Sequence, residues 1–367
     1  MHYLDHASHS WPKPAAVYQA LDDFAHVRST QAISQIIRTA QQELSDLLSI
    51  AHPARIQFMA SRAEAFSQAL QSIAWQTGDG IVISALEHQS LLDAVMRLAR
   101  TQGIQLYIVP YSHAIPFDTR DCEVLLRQYP NIRLIALSHA SHVIGCVLPV
   151  AAIADLAKRY GKLFLLNAAQ TAGFWPLDLQ RDDIDMLILS GEKALQGPRG
   201  LNMLYLSENV DLKERYSPLR EDRALPFASR IAALPEGVRW VRSNGNRQHV
   251  HALFSRLLTE LDAIPEVSIY GMVDRTGQLP LLSFNLLGHH PEVLAERLYR
   301  EFCIWLRAGF HQSRFAHEAI GSIHRGGTIR VSLGYLSKEE DVIALSQALK
   351  TILVASSENK VWGWVTK

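Results

Sequence analysis

The chain is poor in several things, and each shortage excludes a class of protein. Only three cysteines occur in 367 residues, Cys122, Cys146 and Cys303, far apart and odd in number. That pattern argues against a disulfide framework and against a thiolate metal site. No run of eighteen apolar residues occurs, so no membrane-spanning helix is expected. Charge of one sign is not in excess, because 36 Lys+Arg balance 36 Asp+Glu. A dedicated nucleic-acid binder usually carries a basic surplus, so nucleic acid is not an expected partner. The opening Met1-His2-Tyr3-Leu4-Asp5 has neither the basic nor the apolar region of a signal peptide, and a cytoplasmic protein is expected. What remains is ordinary globular composition, 48% hydrophobic, on a chain long enough for two domains.

Short apolar runs alternate with amphipathic stretches of helix length through the first two thirds. Ile56–Ala60, Ile81–Ser84, Gln105–Pro110, Leu134–Ser138, Leu163–Asn167, Met186–Ser190 and Leu201–Leu206 read as strands. Ser90–Arg100, Asp118–Gln128 and Val150–Tyr160 read as helices between them. The alternation implies an α/β fold with a mostly parallel sheet buried on both faces, whose ligands gather at the carboxyl ends of the strands. Residues 207–237 are polar and carry Pro218, Pro226 and Pro235, so they read as loop and connection. Beyond them, helix Gln248–Leu261, strands Val267–Tyr270 and Leu281–Leu286, helix Pro291–Arg300, strands Cys303–Arg307 and Thr328–Leu333, and helix Lys338–Ile352 form an α+β tail. The expected division is a large domain over 1–235 and a small one over 236–367, with residues 1–12 packing near the small domain.

Sixteen histidines invite a metal reading, but no carboxylate or cysteine stands at ligand spacing beside their close pairs, and no metal is expected. Five other segments matter more, because each ends a predicted strand. They are Ser61-Arg62-Ala63-Glu64, Glu87-His88-Gln89-Ser90, Ser138-His139-Ala140-Ser141-His142, Asn167-Ala168-Ala169-Gln170 and Ser190-Gly191-Glu192-Lys193. A lysine among small residues just past a buried strand suits a Schiff-base amine, which must lose water to be nucleophilic near neutral pH. From the residues alone, Lys193 serves equally well as a loop salt-bridge residue.

Taken in order, these segments resemble the class V aminotransferase family of fold type I pyridoxal-phosphate (PLP) enzymes, and within it the cysteine desulfurase and selenocysteine lyase branch. The opening Tyr3-Leu4-Asp5-His6-Ala7, the run Ser10-Trp11-Pro12-Lys13-Pro14 and the late Gly326-Gly327-Thr328-Ile329-Arg330-Val331-Ser332 extend the resemblance over nearly the whole chain. It implies that Lys193 carries PLP and moves the substrate α-proton, with His88 against the pyridine face. It implies Gln170 and His142 at the phenolic oxygen, Asn167 at the ring nitrogen, and Ser190, Arg62 and Ala63 on the phosphate side, where helix N–H groups favour an anion. Arg330 matches the arginine that holds the substrate α-carboxylate, its plain alternative being a strand-surface salt bridge. A homodimer and a small amino-acid substrate follow from the same resemblance.

Departures from the family pattern carry equal weight. Asn167 replaces an aspartate that keeps the pyridine nitrogen protonated. His142 replaces an asparagine, Glu192 a histidine and Ala63 a threonine. Residues 207–235 are shorter than the family stretch and lack its glycine-threonine loop. In His311-Gln312-Ser313, Gln312 stands where the desulfurase cysteine belongs, and an amide cannot form a persulfide. Cys303 reads as buried in a strand. The expected function is therefore a PLP-dependent aminotransferase or lyase acting on an amino acid. Two alternatives remain: a desulfurase with an unconventional thiol, and a non-catalytic relative with a binding or scaffolding role.

Overall fold

The computed structural model describes residues 1–27, 29–210, 224–271 and 277–362, and the side chains of 356–362 are outside that description. Its elements run β1 (His2–Tyr3), α1 (Ala15–Asp23), α2 (Thr30–Leu48), β2 (Ile56–Met59), α3 (Arg62–Gln71), β3 (Gly80–Ser84), α4 (Gln89–Gln102) and β4 (Gln105–Val109). There follow α5 (Thr119–Gln128), β5 (Ile132–Ser138), α6 (Val150–Arg159), β6 (Leu163–Asn167), β7 (Met186–Ser190) and β8 (Asn202–Leu206). The remainder is α7 (Ala228–Asn244), α8 (Arg247–Asp262), β9 (Val267–Tyr270), β10 (Leu281–Leu286), α9 (Pro291–Phe302), β11 (Ile304–Trp305), β12 (Arg307–Gly309), α10 (Arg314–Ala319), β13 (Thr328–Ser332) and α11 (Glu339–Trp362).

Seven strands form the main sheet in the order β2-β8-β7-β6-β5-β3-β4. The five from β7 to β4 are parallel, and β8 runs against both β7 and β2. Alternate residues of each parallel strand enter opposite cores: Val82, Ile135, Leu137, Leu187 and Leu189 lie on the α2 side, while Ile81, Ile83, Leu134, Met186 and Ile188 lie on the α3 and α4 side. Burial on both faces is why these strands read as continuous apolar runs rather than alternating ones. The expected α/β class with a mostly parallel sheet is what forms. A second sheet, antiparallel in the order β12-β13-β10-β9, packs with α8, α9 and α11 around a separate core that also takes in Leu4, Ala7, Ala140 and Phe174. The N-terminal strand β1 lies parallel to β11, His2 beside Ile304 and Tyr3 beside Trp305.

The structure corrects two expectations. Residues 228–237 are helical, not loop, and Pro235 sits inside α7. A proline there forgoes one helical hydrogen bond at a cost of about 3 kcal/mol, which burial of Ile231, Leu234 and Val238 in the main core offsets. Two residues on, Gly237 lets the helix touch the Lys193 loop: a Cβ there would stand 2.6 Å from Gly197 N and Leu195 O. Cys303 is exposed rather than buried in a strand, because it is the left-handed residue (φ 54°) that ends α9. The expected shortened loop falls mostly on 211–223, outside the described residues, as does Pro218.

Candidate active site

The carboxyl ends of the parallel strands converge on one cavity of about 400 Å³. Met59 of β2 leads to Arg62, Ser84 of β3 to His88, Ser138 of β5 to His142, Asn167 of β6 to Gln170, and Ser190 of β7 to Lys193. Opposite them, the second sheet delivers Arg307, His311, Gln312 and Arg330, and the N-terminal segment delivers Asp5, Ser8 and His9. Of the ten residues singled out from the sequence, seven line this cavity: Arg62, His88, His142, Gln170, Lys193, Gln312 and Arg330. Asn167 and Ser190 are buried without lining it, and Ala63 is exposed in the first turn of α3 and is not drawn in.

Lys193 is 4% exposed, and its amine makes no hydrogen bond among the described residues. Burial first, then the guanidiniums of Arg62 and Arg330, drives its pKa well below the usual lysine value, against the pull of Glu192 and Asp5. Burial and facing cations both favour the neutral form of the amine, the form that keeps its lone pair. The loop that carries it is tied to the N-terminal segment. Ser10 N donates to Glu192 O at 2.9 Å, Ser10 Oγ to Lys193 O at 2.9 Å, and Lys13 Nζ to Glu192 O at 2.6 Å. The Glu192 carboxylate turns aside to accept Gly200 N at 3.0 Å.

His88 caps α4 and faces Arg62, whose Nη2 lies 3.1 Å from His88 Nε2. The cap is Nδ1 accepting Ser90 N at 3.0 Å, and the same nitrogen lies 2.8 Å from Ser90 Oγ. Burial, then the charges of Arg62 and Lys193, lowers the His88 pKa to about 2, so the ring is neutral. The His142 ring stands 4.7 Å from it and donates through Nε2 to His311 O at 3.0 Å. Residues 311 and 312 both take left-handed backbone (φ 49° and 59°), a strained turn that Gln89 N pins by donating to Gln312 O at 2.9 Å.

Arg330 is an internal residue, not a surface one. It donates to Asp5 Oδ1 at 2.7 Å, Ser8 Oγ at 2.9 Å and His142 O at 3.0 Å, and its Nε is buried without a partner. Asn167 Nδ2 donates to Ser138 Oγ at 3.0 Å, and Ser138 Oγ donates to Glu87 Oε2 at 2.6 Å. Glu87 also accepts Ser84 Oγ at 2.7 Å and Ser138 N at 3.0 Å. Burial raises its pKa, and the Ser138 and Ser84 hydrogen bonds oppose that rise. Ser190 Oγ, by contrast, is buried with no partner.

Sequence reasoning missed Glu87, Asp5, Ser8 and Arg307. Glu87 had a readable signal, a lone carboxylate in the apolar Ile83–Leu86 strand end. Asp5 and Arg307 acquire meaning only through contacts between the two ends of the described chain, Arg330 Nη2 to Asp5 Oδ1 at 2.7 Å and Arg307 Nη1 to Ser8 Oγ at 3.1 Å. Among the described residues no group of three or more His, Cys, Asp or Glu gathers to hold a metal ion, and no helix is long and apolar enough to cross a membrane.

The sequence pattern of the aminotransferase class-V family matches residues 2–221 and 226–345, nearly the whole chain. The chain belongs to that family. A cysteine desulfurase of Pectobacterium atrosepticum is 26% identical over 95% of this chain and 92% of its own length. A probable cysteine desulfurase of Synechocystis is likewise 26% identical, over 96% of this chain and 90% of its own. Among solved structures, the apo cysteine desulfurase of Thermococcus onnurineus superposes with a TM-score of 0.86 at 23% identity, covering 96% of this chain and 94% of that one. A C-DES variant with glycine covalently linked to its PLP cofactor gives 0.78 at 20% identity, covering 95% and 96%. At such identities these structures speak for the fold alone.

Proposed function

We propose that this chain is a PLP-dependent enzyme that acts on an amino acid by transamination or lyase chemistry, without a desulfurase thiolate step. The observation that carries the reading is Lys193: an amine buried just past a strand end beside Arg62 and Arg330, whose charges join burial in pushing its pKa well below the usual lysine value. The surrounding residues fit the cofactor. Ser190 Oγ is a buried, unpartnered donor, and Arg62 and Arg199 line the cavity as countercharges for a phosphate dianion. The first N–H groups of α3 lack intrahelical partners, which also suits an anion. Glu192 is the one discordant group, and Gly200 N holds its carboxylate to one side.

In this reading Lys193 would hold the cofactor covalently, His88 would face its ring, Gln170 and His142 its phenolic oxygen and Asn167 its pyridine nitrogen. Bound PLP supplies an electron sink for the bonds at the substrate α-carbon. The protein does the rest. Arg330, fixed by Asp5 and Ser8, offers its guanidinium to the α-carboxylate, and Arg307 adds a second positive charge. Lys193, neutral when released, accepts the α-proton and returns it. A persulfide step has no thiol at hand. None of the three cysteines lines the cavity, and burial pushes the Cys122 and Cys146 thiols up to about 12.

The experiment is to add PLP to the purified chain and record the visible spectrum, then reduce with borohydride and map the labelled peptide. A yellow band trapped on Lys193, and lost in Lys193→Ala, is the expected result. Amino acids are then screened for α-proton loss in deuterium oxide. A colourless preparation with no label overturns the reading in favour of a binding or scaffolding role. Sulfide release from cysteine would instead favour a desulfurase with an unconventional thiol. The proposal includes a homodimer, and a monomer in sedimentation at micromolar concentration would count against it.

A further inference from the structure

Lys193 stands between two cavities. In front is the site described above. Behind it lies a smaller cavity of about 50 Å³, lined by His6, Ser10, Gln196, Leu279 and Leu333 and sharing Gln170 and Lys193 with the front. Phe174 and Tyr335 wall this space from a third cleft of about 570 Å³ that carries Arg181, Arg242 and Arg247. The small cavity is mostly apolar, yet two of its lining residues have buried polar atoms without a protein partner, His6 Nδ1 and Gln196 Oε1. Neither residue is free to turn away. His6 Nε2 is bonded to Ser337 Oγ at 3.2 Å, and Gln196 is fixed in left-handed backbone (φ 56°) with its N–H on Lys193 O at 2.9 Å. A buried polar atom left unmatched costs about 1–3 kcal/mol, and a water needs about 10–15 Å³ of such space.

We propose that the cavity behind Lys193 is a water site, in which one to a few waters held by His6 Nδ1 and Gln196 Oε1 reach the lysine amine and exchange its proton with solvent past Phe174 and Tyr335. The step balances simply: an N–H bond of the ammonium breaks as an O–H bond forms on the first water, and the next water passes a proton to bulk. The site gives the amine a route for its proton that does not cross the substrate cavity. Its purpose rests on the reading of Lys193 as the reactive amine; its existence does not. The charged groups facing Lys193 are Arg62, Arg330, Glu192 and Asp5, and those facing His6 are Asp5, Asp341, Lys13 and His9. His6 is pushed to about 4 by burial and so meets water as a neutral ring.

Two measurements test this on the full chain without PLP. Trace acetylation of Lys193 by acetic anhydride across pH, read by mass spectrometry, gives the pH at which the amine loses its proton. In His6→Phe, which fills the space and removes a partner, the midpoint should fall by about one unit, a tenfold rise in labelling at a fixed pH below it. Gly334→Ala is the second variant, since a Cβ there would stand 2.3 Å from His6 Nδ1 and must displace the ring. Unchanged midpoints in both folded variants overturn the proposal. So does a high-resolution crystal structure in which the cavity is dry, whereas ordered water bonded to both His6 Nδ1 and Gln196 Oε1 supports it. A chain that shows the shift but never takes up PLP would sink the enzyme reading and leave the water site standing.

Discussion

Two neighbouring strand ends in the main sheet, those of β6 and β7, meet the same cavity in opposite states. Asn167 at the end of β6 is fully engaged: Nδ2 to Ser138, Oδ1 accepting Ala169 N at 3.2 Å, and beyond Ser138 a carboxylate that accepts four hydrogen bonds. Among the described residues Ser190 Oγ at the end of β7 is buried without a partner, and Lys193, three residues on, is 4% exposed. One wall is finished by the protein itself. The other leaves a buried hydroxyl unmatched among the described residues. Such a division gives a binding site a rigid reference face and a receptive face, the condition for holding a ligand in one orientation.

The contrast breaks first at Glu87. Glu87→Ala leaves the Ser84 hydroxyl and both the N–H and hydroxyl of Ser138 unmatched in the interior, and should destabilise the chain by about 3–5 kcal/mol in urea unfolding. Ser190→Ala should change stability by less than about 0.5 kcal/mol while weakening PLP binding. Equal stability losses at the two positions would abolish the distinction. Acid sharpens it next. His139, whose N–H donates to Asn167 O at 3.0 Å, is lowered to about 4 by burial, and His6 likewise. A depressed histidine binds fewer protons folded than unfolded, so its stabilisation is complete above 6.5 and lost as pH falls toward 4. The slope is about 1.4 kcal/mol per pH unit for each such histidine. Unfolding free energies measured between these limits should fall with that slope, and His139→Gln should flatten it. A flat wild-type profile would count against the burial argument.

A smaller effect than at Glu87 is expected at Asn167→Asp. A second carboxylate sharing Ser138 with Glu87 raises the pKa of one of the two, since like charges so placed resist joint ionisation. A raised carboxyl pKa favours the fold at low pH, so the loss, about 1–2 kcal/mol, should appear only as pH rises through the carboxylate range. If PLP binds as proposed, the variant should hold it at least as tightly and exchange the substrate α-proton faster. Should both binding and turnover drop, the amide is suited to a neutral pyridine ring.

The parallel strands and most later elements were legible because burial on both sheet faces leaves unbroken apolar runs, as in Ile81–Ser84 and Leu163–Asn167. Helices α1 and α2 went unread, and α3 was seen only as its opening turn, although Ser29 and Ser61 cap their starts with bonds to Ala32 N and Glu64 N. Proline was misleading at 235, where tertiary packing overrides local preference. The strand-end residues of the site could be read because topology places them together. The Arg330–Asp5 pair could not, because no local pattern links residues 325 positions apart.

That last pair bears on how the chain is made. Asp5 and Ser8 meet Arg330, and Tyr3 lies beside Trp305, so a segment made before the main sheet docks on one made long after it. The main sheet can close during synthesis, but its cavity stays without a lid until β11, β12 and β13 are out.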